Sequence, residues 1–462
     1  MTRNNPEVFN LIDLIKKGEL RRATKLCQRL LKKNEQDEVL QNSLGIIYRK
    51  QEKYIQAEYW TRSALKKNNR FWAAHNNLAR IFHDSGQVER AIDKYKWLLE
   101  QNPSYHEGRI NLAVTLKSVG DYQESLLEYQ HLVTLINSDL SHFNLGLTLL
   151  SMGRYSEGWS NYEYRWKVSP LVNAVWPIKG KDIWNGEKDK DVVLWREQGI
   201  GDDILFLGLT PEARDRSRRL SVYVDPRLVV LCKRSIKGVE FFPYESVIED
   251  VKETHLPMGS LPSLFRQTED DFKKTKKGYL KADPERVSAI RAELGLEGKK
   301  VIGISWKSIK SLNTLKKSLT LLEFGKIFEG LDVTLVNLQY GDVDKEIREF
   351  EEQTGIKIIQ CGSVDNREDL DGLAALIEAC DLVVSTSNVT IHLAGALGKE
   401  TWVLLPFVTN FWWLLNRDDS VWYPSIKIYR QKKFQEWNSL PESLRSTLDK
   451  KFGVVDEYIS KR

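Results

Sequence analysis

The chain has 462 residues, with 69 Lys and Arg against 64 Asp and Glu, a formal charge of +5. That length calls for two or three separate cores, and so small and interspersed a charge excludes a nucleic-acid binder built on one basic face. Cys27, Cys232, Cys361 and Cys380 are scattered without a CxxC spacing and away from the seven His, so neither a disulfide framework nor a zinc site is expected, and a reducing cytoplasm is the simplest location. No apolar stretch suits a signal peptide or a transmembrane segment, so any membrane work would be done from the surface.

Helix-pair units start near residues 4, 38, 72, 106 and 139, a period of 34 with one unit a residue short, and that period predicts an α-solenoid. Equivalent positions have equivalent roles. Leu44-Gly45, Leu78-Ala79, Leu112-Ala113 and Leu145-Gly146 pack the first helix of a pair, Ala23, Ala57 and Ala91 begin the packed face of the second, and Gly18, Gly86, Gly120 and Gly153 turn the chain. These residues resemble the tetratricopeptide repeat over 4–168, most strongly in units two to four. The resemblance implies a concave face suited to an extended peptide.

Asn77, Asn111 and Asn144 hold one place in successive units, just before the Leu of the first helix, while the second unit has Ser43 there with Asn42 beside it. An amide both donates and accepts, so such a row can grip a peptide backbone without reading its sequence. It is similar to the asparagine ladder in the repeats of O-linked N-acetylglucosamine transferase; local packing is the alternative use.

An aromatic-rich helix end at 153–166, then Pro170 and Pro177, sets the boundary of the array at 168. Residues 169–190 read as a connector pinned by Trp176 and Trp184. From 191 short apolar strands alternate with helices. Strands at 192–195, 221–224 and 239–242, a turn at 196–203 into a helix beginning near Ile204, and a helix at 227–233 make an α/β domain over 191–284. A helix at 284–294 leads to strands at 301–306, 333–339 and 356–361 in a second α/β domain over 285–415, and 416–462 form a tail packing back across both. The expected fold class is α plus α/β: a solenoid, then two Rossmann-like domains whose strand ends meet at a cleft.

Residues 381–398 (DLVVSTSNVTIHLAGALG) read as strand, tight polar loop and small-residue helix. Ser385, Thr386, Ser387 and Asn388 supply hydroxyls and an N-cap, and the helix from Val389 aims unpaired N–H groups at an anion. Ala394, Gly395 and Ala396 allow close packing, Gly398 stops the helix, and a strand at 401–405 completes a parallel crossover unit. Ligands of such sheets collect at the strand C-terminal ends, and one bearing phosphate is expected.

Five stretches carry a wider resemblance: EQGIGD (197–202), ISW with KKSL (304–306, 316–319), LQYG (338–341), the segment 381–398, and LLPF through WYPSIKIYRQ (404–431). Together they resemble a tetratricopeptide-repeat glycosyltransferase whose catalytic half is similar to the ADP-heptose:lipopolysaccharide heptosyltransferases. The resemblance implies a GT-B type fold and an inverting, metal-independent transferase. A hexosyl, N-acetylhexosaminyl or heptosyl group would pass from a nucleoside diphosphate sugar to a protein or glycan hydroxyl. It implies no cofactor beyond that co-substrate, and repeats that recruit the acceptor or a protein partner. A repeat-based binding scaffold with an inactive or nucleotide-sensing transferase half is the alternative.

The same resemblance assigns residues. Asp202 matches the family's catalytic base; independently, Gly199 and Gly201 let the backbone turn sharply and place Asp202 at a strand end facing the cleft. The alternatives are that Asp202 only caps the following helix, with Asp203 solvated beside it, or that Glu197 is the base. Lys317 matches the phosphate-binding lysine, with Lys310 and Lys316 as other registers. Ser305, Ser308, Gln339, Gly341, Ser387, Asn388 and His392 complete the donor side, His392 reaching phosphate or sugar or else filling the core. The family motif has Asp at Ser387, where it contacts the sugar, and Thr at Asn388, so the donor here need not be a heptose. Asp342-Val343-Asp344 and Asp369-Leu370-Asp371 resemble the DxD metal motif of the other glycosyltransferase architecture and are read as structural. Phe411, Trp412, Trp413, Trp422, Tyr423 and Trp437 are able to stack on sugar or base, but packing the tail across the hinge between the domains is the simpler use, and Arg417 and Arg430 are assigned to donor or acidic partners.

Overall fold

A computed structural model describes residues 6–168, 182–244, 254–275, 277–308, 319–433, 437 and 440–453. The chain forms two compact units, Met1–Ser141 and His142–Arg462.

The first unit is built of helix pairs, with first helices Pro6–Lys17, Glu38–Lys50, Trp72–Asp84 and His106–Ser118 and second helices Leu20–Lys33, Tyr54–Lys67, Val88–Gln101 and Tyr122–Ile136. Ala23, Ala57 and Ala91 are fully buried, as their size and spacing require. A Cβ on Gly45 would lie 2.1 Å from Thr61 Oγ1, so the first and second helices approach there at backbone distance. The turns at Gly18, Gly86 and Gly120 take left-handed φ of 76°, 83° and 86°; in the second pair Glu52 takes the same conformation at 61°.

The second unit begins inside helix Asp139–Ser151. The sequence places the boundary at 168, whereas the fifth helix pair clusters with the α/β region. Tyr155, Trp159 and Tyr162 of helix Tyr155–Tyr162 share a core with Phe206, Phe272 and Phe411.

That region holds two parallel sheets. The first contains β1 (Lys190–Trp195), β2 (Ser217–Val224), β3 (Glu240–Pro243) and β4 (Thr254–Pro257) in the order β3-β2-β1-β4. The second contains β5 (Val301–Ser305), β6 (Thr334–Asn337), β7 (Ile358–Ile359), β8 (Leu382–Thr386), β9 (Thr401–Leu405) and β10 (Ile426–Arg430) in the order β10-β9-β8-β5-β6-β7. Every residue of β5, β8 and β9 is buried, which is why they read as continuous apolar runs. In each sheet the chain first builds outward from its first strand and then returns to that strand's other side. This places a topological switch between β1 and β4 and another between β5 and β8, where open parallel sheets take ligands.

Two expectations change. The helix expected from Ile204 runs Ile200–Leu207, so Asp202 lies in its first turn. β4 was not foreseen, being a four-residue strand that contains His255 and Pro257. The tail supplies β10 to the second sheet, and Leu444, Leu448 and Phe452 of helix Leu440–Phe452 pack on that sheet's cluster alone. The same tail also reaches the first sheet's side: its Trp422 lies 6.1 Å from Phe206 and 5.0 Å from Phe272, and its Arg417 pairs with Glu269. Trp184 is buried as the connector reading requires, and Trp176 lies outside the described residues.

Candidate functional site

Helix Ile200–Leu207 follows β1 and packs on helix Val389–Leu397, which follows β8. The two switch points thereby meet. Neither Gly199 nor Gly201 has a positive φ; Gly201 instead permits close approach, since a Cβ there would lie 3.0 Å from Cδ2 of His392 and 3.5 Å from its Nε2. Asp202 is half-buried and its Oδ2 accepts the Gly199 N–H at 3.1 Å, so it does cap its own helix. Burial, opposed by that N–H, pushes its pKa up to about 6. A carboxylate poised just below neutrality suits general base catalysis.

Asp203 is not solvated: its side chain is buried, 2.8 Å from Nε of Arg196, which also reaches Asp225 at 3.1 Å. Glu197 is buried as well, its carboxylate held by Arg165 through bonds of 3.0 to 3.2 Å. Burial drives the Glu197 carboxyl up against the pull of that guanidinium. Its oxygens are held by Arg165, so Asp202 is the better placed base.

The protonation state of His392 follows from its burial. His392 Nδ1 lies 3.0 Å from the Tyr423 hydroxyl, and the Tyr279 hydroxyl donates to the Ile204 carbonyl; Nε2 lies beside Gly201. Burial lowers the His392 pKa to about 4, keeping the ring neutral. It is therefore a hydrogen-bond acceptor for a hydroxyl rather than a cation for phosphate. Small residues make room for these side chains: a Cβ on Gly395 would lie 2.5 Å from the Tyr423 ring, and one on Gly208 would lie 2.9 Å from that of Tyr279.

Ser305, Gln339 and Asn388 come together at the ends of β5, β6 and β8, bonded to one another. Asn388 caps its helix by accepting Thr390 N–H at 3.0 Å and donates to Ser305 Oγ at 2.7 Å. Gln339 Oε1 accepts from Ser305 Oγ and from the N–H groups of Trp306 and Lys307 at 2.9 to 3.0 Å. These three knit the loop ends into a frame. Ser387 accepts from Trp413 Nε1 at 3.0 Å, and exposed Gly341 takes a φ of 86°. Lys310, Lys316 and Lys317 lie outside the described residues.

Of the DxD-like pairs, Asp369-Leu370-Asp371 has structural partners: Asp369 caps helix Leu370–Ala379 and pairs with Arg286, and Asp371 pairs with Arg234, while Asp344 accepts from Gln360 Nε2 at 3.3 Å. Arg430 donates to the carbonyls of Trp413 and Leu414 at 3.0 and 2.8 Å. The sequence reading missed Arg165, Tyr162 and Tyr279, which carry no local motif; Tyr423 lies inside the 404–431 stretch, where its aromatic ring reads as packing alone.

In the first unit, Asn77 is buried and its amide donates to Asn42 Oδ1 at 3.1 Å and Thr61 Oγ1 at 2.9 Å, while Asn111 donates to Asn76 Oδ1 at 2.9 Å. There the row locks repeat to repeat. Asn144 is half-buried in the second unit.

A tetratricopeptide repeat family model matches residues 74–104. The N-terminal helices form a tetratricopeptide-like helical repeat region. Among solved structures, a thermophilic TPR protein of Thermus thermophilus is 19% identical over 36% of this chain and 90% of its own, with a TM-score of 0.33. PilF of Pseudomonas aeruginosa is 14% identical over 35% of this chain and 75% of its own, with a TM-score of 0.32. Protein FlbA of Caulobacter vibrioides is 28% identical over 422 residues, 86% of this chain and 70% of that protein, a length that takes in both repeats and α/β region. The peroxisomal targeting signal receptor of Candida glabrata is 29% identical over 25% of this chain and 19% of its own length. No helix among the described residues is long and apolar enough to cross a membrane.

Proposed function

We propose that the α/β region is a GT-B type glycosyltransferase, similar to the heptosyltransferases, that transfers a sugar from a nucleoside diphosphate sugar with inversion. The observation that carries this reading is the meeting of Asp202, after β1, with the His392 helix after β8, across Gly201. In the reaction, the Asp202 carboxylate takes the proton of the acceptor hydroxyl. The hydroxyl oxygen bonds to the anomeric carbon from the face opposite the diphosphate. The bond from that carbon to the diphosphate breaks, and its electron pair leaves with the nucleoside diphosphate. Neutral His392 accepts a hydrogen bond from a sugar or acceptor hydroxyl, and the diphosphate meets Lys317 and the N–H groups opening helix Val389–Leu397.

Serine at 387, bonded to Trp413, offers no carboxylate to a heptose, so a hexose or N-acetylhexosamine fits the donor equally. The repeats recruit the acceptor polypeptide or a glycan-assembly partner; a relative named as a targeting-signal receptor supports a peptide-recognition role, and the length of the FlbA match supports repeats and catalytic half working as one chain. A second reading, a nucleotide-binding scaffold without turnover, is favoured by the inward-turned Ser305, Gln339 and Asn388. A thermal-shift panel of nucleoside diphosphates, followed by nucleotide release from the matching sugar nucleotides, separates them: binding with turnover supports the transferase, binding without it the scaffold.

A further inference from the structure

The last repeat touches both sides of the candidate site. Arg165, fully buried, grips Glu197, donates to Glu163 at 2.8 Å and donates to Ser260 Oγ at 2.7 Å. Glu197 follows β1 and Ser260 follows β4, so the guanidinium fills the switch-point crevice of the first sheet, where such a sheet ordinarily takes a ligand. Gly259 makes the fit possible, because a Cβ there would lie 1.8 Å from Glu197 Oε1. One residue on, Gln198 donates to the Tyr162 hydroxyl at 2.7 Å, and the next residue, Gly199, holds the Asp202 carboxylate.

The ring of the same Tyr162 lies 5.5 Å from Phe411. Phe411 opens the short helix Phe411–Trp413, whose Trp413 bonds Ser387 and lies 6.0 Å from His392. One tyrosine thus contacts, at its two ends, the turn that carries Asp202 and the turn that backs His392. A planar guanidinium with several donors in a fixed fork is the group able to hold Glu197 and Ser260 together, and an ammonium is not.

We infer that Tyr162 and Arg165 are positioning residues of the site: the last repeat sets the placement of Asp202 relative to the Ser387–His392 turn. The effect on rate rests on the transferase reading; the effect on the turn does not.

The test uses the full chain as Tyr162→Phe and Arg165→Lys, with the helices of the first unit as the internal control. Tyr162→Phe keeps the ring on Phe411 and removes only the Gln198 bond. Amide hydrogen exchange over 196–204 is expected to quicken at least tenfold in Tyr162→Phe and Arg165→Lys, while exchange in the helices of the first unit stays as in the parent. With a donor identified from the panel, kcat is expected to fall at least tenfold in both positioning variants while the donor KM moves less than threefold. Unchanged exchange at 196–204 overturns the inference, as does a lower melting temperature with kcat of the folded protein intact, which marks a purely structural pair. Should the parent turn over no sugar nucleotide, the transferase reading fails by itself, and the exchange measurement still decides the placement of the turn.

Discussion

Gly201 and His392 meet closely enough that a side chain would have to push its neighbour aside: a Cβ on Gly201 would lie 3.0 Å from the imidazole Cδ2, so the ring would have to give by a few tenths of an ångström. Gly201→Ala is therefore expected to displace His392 from Tyr423 or part the two helices, costing about 1–3 kcal/mol. Thermal unfolding checks this, and an unchanged melting temperature would mean that the ring yields without cost.

Gly259→Ala is expected to cost more. Its Cβ would occupy the place of a Glu197 oxygen, 1.8 Å away, and so force the carboxylate off Arg165. Breaking a buried ion pair costs about 3–5 kcal/mol. Urea unfolding of the variant should show that loss in the α/β transition, and a midpoint equal to the parent's would contradict the packing described.

In the array, Glu52 holds the left-handed turn that Gly18, Gly86 and Gly120 hold in the other pairs. Relief of that conformation in Glu52→Gly is expected to stabilise the repeats by about 1 kcal/mol. A lower melting temperature would show that Glu52 contributes something its backbone angle does not reveal.

Asp202 and His392 give stability slopes of opposite sign. Asp202, raised from 3.8 to about 6, keeps its proton when folded where the unfolded chain has lost it, so its contribution falls as pH rises through that window. His392, lowered from 6.5 to about 4, is neutral when folded where the unfolded chain is charged, so its contribution is lost as pH falls through its window. Asp202→Asn is expected to be more stable than the parent above pH 6, by at most about 3 kcal/mol, with the gain gone near pH 4. Denaturation at pH 4, 6 and 8 measures it. A variant less stable than the parent at pH 8 would show that the ionised carboxylate supports the fold.

Much of the fold was legible because its signals are local. A period of 34 needs only counting, and the all-buried β5, β8 and β9 announce themselves as apolar runs. β4 and β10 were missed or misassigned because edge strands of four and five residues owe their pairing to a neighbour rather than to their own pattern. Motif spacing pointed to Asp202 and the 385–392 turn, and the fold brings their two helices together. The spacing did not reveal that Asn77, Ser305, Gln339 and Asn388 satisfy partners inside the protein, because an amide or hydroxyl reads alike whether it faces a ligand or a neighbour. Arg165 was invisible for the same reason: its partner Glu197 is 32 residues away, and only the sheet topology brings them together.

The most direct measurement is release of nucleoside diphosphate from a panel of sugar nucleotides by the parent and by Asp202→Asn, with diphosphate affinity measured on both. The expected result is turnover of at least one donor by the parent, rising with pH to a plateau above about 6, a loss of about 100-fold or more in the variant, and equal diphosphate affinity. Equal turnover by parent and variant would contradict the role given to Asp202, and no turnover of any donor by the parent would contradict the transferase reading.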